Sequence, residues 1–204
     1  MNNSNKKNND NYQESSDLLF DADVDTHIFS DGSCEGNGKK NASGGFSLLF
    51  TRGTYCGFGY YGRLSNTRID SDNLIAPSNI RAEGIAILTI LKKLRKKDKW
   101  CIAKIYTDSE FWIKMILEYM PKWSSEKFKT KKNPDLSSAI WKEWCQVPSE
   151  KKIHLQFVRA HRDEHILKDP YDKYCCHFNN LADIWAKESL NLEEGTIKKF
   201  KFNK

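Results

Sequence analysis

The sequence lacks the features of membrane and secreted proteins. No apolar run approaches the roughly 18 residues that a membrane span needs, and the first twenty residues contain no apolar core of a secretory signal. The six cysteines follow no regular spacing and two of them are adjacent, which argues against a disulfide framework. We therefore expect a soluble, intracellular protein with reduced thiols and no membrane partner. The sequence does not distinguish cytoplasm from nucleus.

Composition divides the 204 residues into one folded domain and two polar ends. Residues 1–23 are rich in Asn, Asp, Ser and Lys, with a single apolar cluster at residues 18–20, and predict a disordered tail. Residues 24–193 hold the regular apolar patterns and predict one domain, since 39% apolar residues suffice for a core. Residues 194–204 predict a basic C-terminal tail.

The apolar periodicity predicts an α/β fold with a mixed five-stranded sheet. Alternating apolar residues predict strands at residues 24–31, 46–51, 55–62, 101–107 and 152–160. Helical spacing predicts helices at residues 80–97 and 110–120, from residue 133 onward, and at 179–193. The first three strands form an antiparallel meander, and the remaining order adds two parallel strands with helices on both faces.

Four acidic residues occupy comparable places in this pattern. Asp31 and Asp108 end strands, whereas Glu83 and Asp183 lie near the starts of helices. Local explanations exist, because Asp31 can cap a turn, Glu83 can offset a helix dipole and Asp108 can cap the next helix. Ligands gather at strand ends in such sheets, and four carboxylates that met there would repel one another unless cations were bound. Oxygen ligands favour Mg²⁺ or Mn²⁺ over zinc.

Residues 122–132 form a lysine-rich segment with interleaved aromatic residues. The segment has five lysines, one Glu, Trp123 and Phe128. It can be a solvated surface loop, or it can grip a nucleic-acid backbone. The residue types alone leave both interpretations open.

These motifs resemble type 1 ribonuclease H over nearly all of residues 24–193. Residues 31–37, Asp-Gly-Ser-Cys-Glu-Gly-Asn, resemble the first motif of that family, residues 78–83 the second and residues 106–109 the third. The fourth motif resembles residues 158–161 together with residues 179–183. Because all four occur in order on matching strands and helices, the resemblance implies the RNase H-like fold. It also implies hydrolysis of the RNA strand of RNA–DNA hybrids.

The resemblance implies two Mg²⁺ ions, for which Mn²⁺ can substitute, held by the four acids. Asp31 would bridge the ions, and Glu83, Asp108 and Asp183 would complete the two shells. Two ions roughly 3.5 to 4 Å apart can activate a water and stabilise the leaving oxygen, with 5′-phosphate and 3′-hydroxyl products as in the family. His161 is implied as a proton shuttle or an aid to product release. A plain surface histidine is the alternative, and His165 is a rival.

Family positions that read the minor groove and the 2′-hydroxyls correspond to Ser33, Asn37, Asn79 and Glu110. Ser78 and Arg81 correspond to positions near the DNA phosphate and the sheet edge, and Asn179 belongs to the fourth motif. Contacts with the DNA strand are implied for Lys122, Trp123, Lys127, Phe128 and Lys129. The chain departs from the family pattern at Glu110, where many bacterial members have Gln, and at Ile80, where many have Asn.

Three alternatives stay open at this point. The same fold also serves nucleases and resolvases that act on DNA, although Asn37, Asn79 and the lysine-rich segment favour a hybrid substrate. A non-catalytic nucleic-acid-binding module is the second alternative. The third concerns His165, Cys175, Cys176 and His177, which could bind zinc although their spacing matches no familiar site. We expect the protein to act as a monomer.

Overall fold

The computed structural model describes residues 24–39 and 41–203. The predicted disordered tail at residues 1–23, with its apolar cluster at residues 18–20, lies outside the described residues. Among the residues described, no helix is long and apolar enough to cross a membrane.

The described residues form an α/β fold around one mixed sheet of six strands. The strands are β1 Thr26–Glu35, β2 Ser43–Arg52, β3 Phe58–Arg63, β4 Ile102–Thr107, β5 Lys152–Phe157 and β6 Ile197–Lys201. Their order across the sheet is β5-β4-β1-β2-β3-β6. Strands β1, β2, β3 and β6 pair antiparallel, whereas β4 pairs parallel with both β1 and β5. The predicted mixed sheet is confirmed, and its strand count is corrected from five to six.

The sixth strand lies where the sequence predicted a basic tail. Gly195, with φ +75°, turns the chain back, and Ile197–Lys201 then pairs with β3. The ring of Phe200 packs 3.9 Å, centroid to centroid, from the ring of Trp185. The prediction of a tail over residues 194–204 is wrong for residues 197–201, because they form an edge strand whose lysines are all exposed.

Helices and short helical turns connect the strands. The α-helices are α1 Asn79–Arg95, α2 Glu110–Lys114, α3 Ser125–Lys129, α4 Pro134–Cys145 and α5 Pro170–Glu188. The predicted continuous helix at residues 110–120 is wrong, because α2 passes into a π-helical turn at Met115–Tyr119 and then a 3-10 turn at Met120–Lys122.

The last helix begins nine residues earlier than predicted. The side chain of Asp169 accepts a hydrogen bond from the Asp172 amide at 2.8 Å, and Pro170 occupies the first helical turn. Both are standard features of a helix start. Cys175 and Cys176, which precede the predicted helix in the sequence, therefore belong to it.

The two faces of the sheet hold different helices. Ile28 packs with residues of α1 on one face, and the next residue, Phe29, packs with α5 on the other. This alternation is the period of two that defines a strand. The prediction of helices on both faces is confirmed, and Asp31 shares the face of Phe29, towards α5.

Candidate active site

The candidate site begins with Asp31, an acid buried in the middle of the sheet. Its residue is 6% exposed, and its Oδ1 accepts a hydrogen bond from the Gly32 amide at 2.7 Å. Across the sheet it lies opposite Ser47 of β2. A buried carboxylate with one local hydrogen bond is costly in the absence of a positive partner.

Gly32 sets the distance between β1 and the helix that carries Glu83. A Cβ atom at position 32 would overlap the backbone of Ala82 and Glu83. Only glycine therefore allows the first turns of α1 to lie directly against β1. This close approach places Glu83 beside Asp31.

The electrostatics show that the four acids lie close together. Burial raises the pKa of Asp31 well above its ordinary value, and the charge of Asp108 raises it further. The charges of Asp183 and Glu83 act in the same direction, while the Gly32 amide opposes them. Acids from β1, α1, the end of β4 and α5 thus form one cluster of negative charge.

Asp108 and Glu83 experience the same field. Burial raises the pKa of Asp108, its own backbone amide and His161 lower it, and Asp183 raises it. Burial also raises the pKa of Glu83, the Ser109 hydroxyl opposes this by donating a hydrogen bond to Glu83 Oε2, and Asp108 raises it again. The Oδ1 atom of Asp108 is buried and has no hydrogen-bond partner among the described residues.

Asp183 is held by a neighbour on its own helix. Lys187 Nζ lies 2.7 Å from Asp183 Oδ2, one helical turn further along α5. The lysine is largely exposed, whereas the Asp183 side chain is 20% exposed. The ammonium therefore neutralises part of the negative charge from the solvent side.

His161 lies in the turn that follows β5. It has a left-handed backbone with φ +53°, which is uncommon for a residue with a side chain. The charge of His161 acts on Asp108. His165, the predicted rival, lies in a separate 3-10 turn, where its amide donates to Asp163.

The donor set of the cluster suits hard divalent cations. Over the described ranges, no three His, Cys, Asp or Glu side chains are arranged to hold an ion together. Two of the acids are engaged by neighbouring side chains, since Glu83 bonds to Ser109 and Asp183 to Lys187. The cluster offers only carboxylate oxygens, and one of these, Asp108 Oδ1, is buried without a partner. Such ligands fit Mg²⁺ or Mn²⁺ better than zinc.

The residues predicted to bind zinc have other contacts. Cys175 is a residue of α5 that packs in the core, and Cys176 Sγ donates to the carbonyl of Arg162 at 3.2 Å. His177 lies 3.1 Å from Glu164. All six cysteines fall within the described residues, and each is a free thiol.

Several predicted substrate-contacting residues lie at the start of α1 and in the turn after β1. The Asn79 amide donates to Asn37 Oδ1 at 3.4 Å, so these two residues are neighbours. Ser78 caps α1 by accepting from the Arg81 amide. Ser33 is partly exposed in β1, and Glu110 is exposed and pairs with Lys114 at 3.0 Å.

Two side chains that were predicted to contact substrate, those of Arg81 and Phe128, are buried, and their contacts with substrate stay predictions. The Arg81 guanidinium pairs with the Asp135 carboxylate at 2.7 Å, and neither side chain is more than 2% exposed. Phe128 is 7% exposed and packs edge-on against Trp123. Asn179 is also buried, but its Oδ1 has no hydrogen-bond partner in the part of the chain described, so its predicted contact stays a prediction.

The lysine-rich segment at residues 122–132 contains the short helix α3. Lys122, Lys127 and Lys129 are exposed, and Lys129 pairs with Glu126 at 2.8 Å. Trp123 is partly exposed, with Lys131 Nζ 5.3 Å from its ring centroid. The segment therefore presents lysines to solvent above an aromatic pair that anchors it to the core.

The sequence analysis missed two residues that hold the acids. Ser109 lies in the third motif, but its bond to Glu83 joins residues 26 positions apart, which no local pattern reveals. Lys187 could have been found, because an acid followed by lysine four residues later is a familiar helical ion pair.

Comparison with known proteins gives the family. The family model described as RNase H matches residues 23–191. Ribonuclease H of Campylobacter jejuni strain RM1221 is 33% identical over 134 residues, which cover 66% of this chain and 77% of the relative. Ribonuclease H of Wolbachia pipientis wMel is 29% identical over 164 residues, covering 80% and 93%. The chain belongs to the RNase H family, and the resemblance seen in the sequence is confirmed.

Solved structures agree on the fold. The PFV RNase H domain in solution is 17% identical with a TM-score of 0.56, covering 81% of this chain and 94% of that domain. The N-terminal RNase H domain of a Mycobacterium tuberculosis protein is 15% identical with a TM-score of 0.52, covering 82% and 94%. At these identities the likeness supports the RNase H-like fold alone.

Proposed function

We propose that this chain hydrolyses the RNA strand of RNA–DNA hybrids with the help of two divalent cations. The observation that carries the proposal is the buried Asp31, surrounded by acids from three other elements that all raise its pKa. A fold keeps such mutual repulsion when the charges serve a ligand of opposite sign. Membership of the RNase H family supports this activity and this substrate.

Asp31, Glu83, Asp108 and Asp183 would hold the cations, Mg²⁺ or in its place Mn²⁺. When bound, such ions activate a water towards the phosphodiester and stabilise the leaving oxygen, giving 5′-phosphate and 3′-hydroxyl ends. Ser109 keeps Glu83 oriented through its hydroxyl. Lys187 holds Asp183.

His161 is the candidate for moving protons at this site. Its exposed position lets it exchange protons with solvent, and its charge reaches Asp108. An imidazole ring has two nitrogen atoms that can accept and return a proton during turnover. The contacts of His165 lie elsewhere, so we assign the role to His161.

Recognition of the hybrid would involve both strands. Ser33, Asn37, Asn79 and Glu110 would offer donors and acceptors to 2′-hydroxyls, which are found only on the RNA strand, and Ser78 would lie near the DNA phosphate. The exposed lysines at positions 122, 127 and 129, with Trp123 beside them, would contact the DNA strand by charge and by packing. Monomeric action is part of the proposal.

The test compares cleavage of an RNA–DNA hybrid, duplex RNA and duplex DNA of one sequence, with Mg²⁺, Mn²⁺ or a chelator. We expect metal-dependent cleavage of the hybrid only, within its RNA strand. Asp31→Asn should abolish cleavage and keep hybrid binding, and Asp72→Asn, which removes an exposed acid elsewhere, should cleave normally. Cleavage confined to duplex DNA would favour a DNA-directed nuclease, and binding without cleavage would favour a non-catalytic module.

A further inference from the structure

A cluster of lysines lies at the end of the fold remote from the acids. We call Lys93, Lys96, Lys97 and Lys199 the basic pole. At this end of the sheet β1 and β4 start, as their pairing at Thr26 and Ala103 shows, and β6 ends beside the start of β3. Lys93 lies ten residues after Glu83 on α1, which is about 15 Å along the helix.

Aromatic rings hold the lysines of the basic pole. Lys93 Nζ lies 3.2 Å from the centroid of the Tyr60 ring, and Lys97 Nζ lies 3.3 Å from that of Tyr55. Lys199 Nζ lies 4.1 Å from the ring centroid of Phe58. Cation–π contacts fix these ammonium groups in place but do not neutralise their charge.

The charges that act on Lys93 and Lys97 within the described residues are those of other lysines. Burial lowers the pKa of Lys93 to about 8, with further lowering by Lys97, Lys96 and Lys199. Burial and Lys199 also lower the pKa of Lys97. Within residues 24–39 and 41–203, no carboxylate is among the groups that act on either lysine. The pole is therefore a site where an anionic partner would relieve repulsion.

The chain enters the fold beside this pole. Val24 is buried, and Asp25 Oδ2 accepts from the Ile102 amide at 3.2 Å. Ile102 follows Lys97 by five residues, so the entry point lies within about 17 Å of that lysine. The sequence just before Val24 is acidic. Residues 10–23 contain five acids, at positions 10, 14, 17, 21 and 23, and no Lys, Arg or His.

We propose that the acidic segment at residues 10–23 binds the basic pole of its own chain. These residues lie outside those described, and the inference rests on their charge, on their attachment point and on the lysines of the basic pole. Fourteen residues can reach up to about 46 Å, which exceeds the distance required. Tethering gives the segment an effective concentration in the millimolar range, so weak charge complementarity is enough. Leu18, Leu19 and Phe20 supply apolar contact area.

The first test measures the pKa of the Lys93 amine by NMR in the full chain. The triple variant Glu14→Gln, Asp17→Asn, Asp21→Asn, called here the neutralised variant, removes three of the five negative charges of the segment without shortening it. The matched control removes three acids that are exposed elsewhere, through Asp72→Asn, Glu118→Gln and Glu193→Gln. We expect the pKa of Lys93 to be higher in the intact chain than in the neutralised variant by about 0.5 unit or more, with the control unchanged. Equal pKa values in all three proteins would overturn the proposal.

The second test maps zero-length carbodiimide cross-links by mass spectrometry. Cross-links from the acidic segment should concentrate on Lys93, Lys97 and Lys199, and their yield should not depend on protein concentration. Their yield should fall severalfold in the double variant Lys93→Gln, Lys97→Gln. The control Lys168→Gln should leave them unchanged. Cross-links spread evenly over surface lysines would contradict the proposal. A pKa of Lys93 that changes when hybrid is added to the full chain, but stays the same in the neutralised variant, would also contradict it. The basic pole would then be a nucleic-acid contact. Hybrid cleavage should not change, so the result is independent of the proposed function.

Discussion

The buried pair of Arg81 and Asp135 allows a prediction that separates a stabilising residue from a substrate-binding one. The pair is bidentate, with N–O distances of 2.7 and 3.1 Å, and Asp135 also accepts from the Ile69 amide at 3.0 Å. Asp135→Asn keeps the shape of the side chain but removes its charge. The guanidinium would then remain buried without a counter-charge, which costs about 3 to 5 kcal/mol in comparable pairs.

The pKa of Asp135 gives a second route to this magnitude. Burial alone would raise the pKa, but hydrogen bonds from Arg81 and the Ile69 amide lower it to about 2. Relative to an ordinary carboxyl, a drop of nearly two units is worth about 2 to 3 kcal/mol. Because the folded-state pKa is the lower one, this stability is present above about pH 4 and is lost as the pH falls towards 2. The two routes bracket a loss of about 2 to 5 kcal/mol.

The assay is urea unfolding followed by tryptophan fluorescence, together with KM for the hybrid well below the melting temperature. We expect Asp135→Asn to lower the unfolding free energy by this amount with little change in KM. Asp70→Asn is the control, because it breaks a similar but exposed pair with Arg68, whose loss should leave the unfolding free energy nearly unchanged. A loss below 1 kcal/mol for Asp135→Asn with a raised KM would refute the structural role of Arg81.

Three further predictions concern other parts of the fold. Asp31→Asn should abolish cleavage yet raise the Tm of the metal-free protein, because it removes a buried charge that neighbouring acids repel. Each ~1 kcal/mol of added stability raises the Tm by about 2 to 4 °C in a protein of this size. An unchanged or lower Tm would contradict the inferred repulsion at Asp31. Gly32→Ala should cost about 1 to 3 kcal/mol by overpacking against α1 and should lower kcat by displacing Glu83. Calorimetry would measure the first effect and steady-state kinetics the second. Normal stability and normal kcat would show that the close contact between β1 and α1 does not position Glu83. Phe200→Ala should cost about 2 kcal/mol by uncovering Trp185, as measured by denaturation, whereas a loose tail would show no loss.

The sheet could be predicted because each central strand has a clear local pattern. In β1 the alternation of Ile28 and Phe29 assigns one residue to each face, and the structure keeps this assignment. The strand β6 could not be predicted in this way, because its lysines outnumber its apolar residues and its pairing with β3 is a long-range contact. The start of α5 was missed although Asp169 and Pro170 are typical of a helix start, and although Tyr171, Tyr174 and Phe178 pack on the core at helical spacing.

The four acids were predicted from the sequence motifs, but local sequence patterns could not show which neighbouring residues hold their side chains in place. The bond from Ser109 to Glu83 links residues on different elements. Arg81 lies within the second motif, and only the fold shows that its partner is Asp135, 54 residues away. The burial of this pair could not be predicted from the motif, because it depends on a residue of another helix.

The π-helical turn at Met115–Tyr119 has a consequence for the lysine-rich segment that follows it. A π turn amounts to an α-helix carrying one surplus residue, and each residue of an α-helix advances the chain by about 100°. Deleting the half-exposed Leu117 would thus restore regular winding and swing Trp123, with the lysines beyond it, about a quarter turn around the helix axis. The angular placement of that segment is governed by a single extra position in the chain.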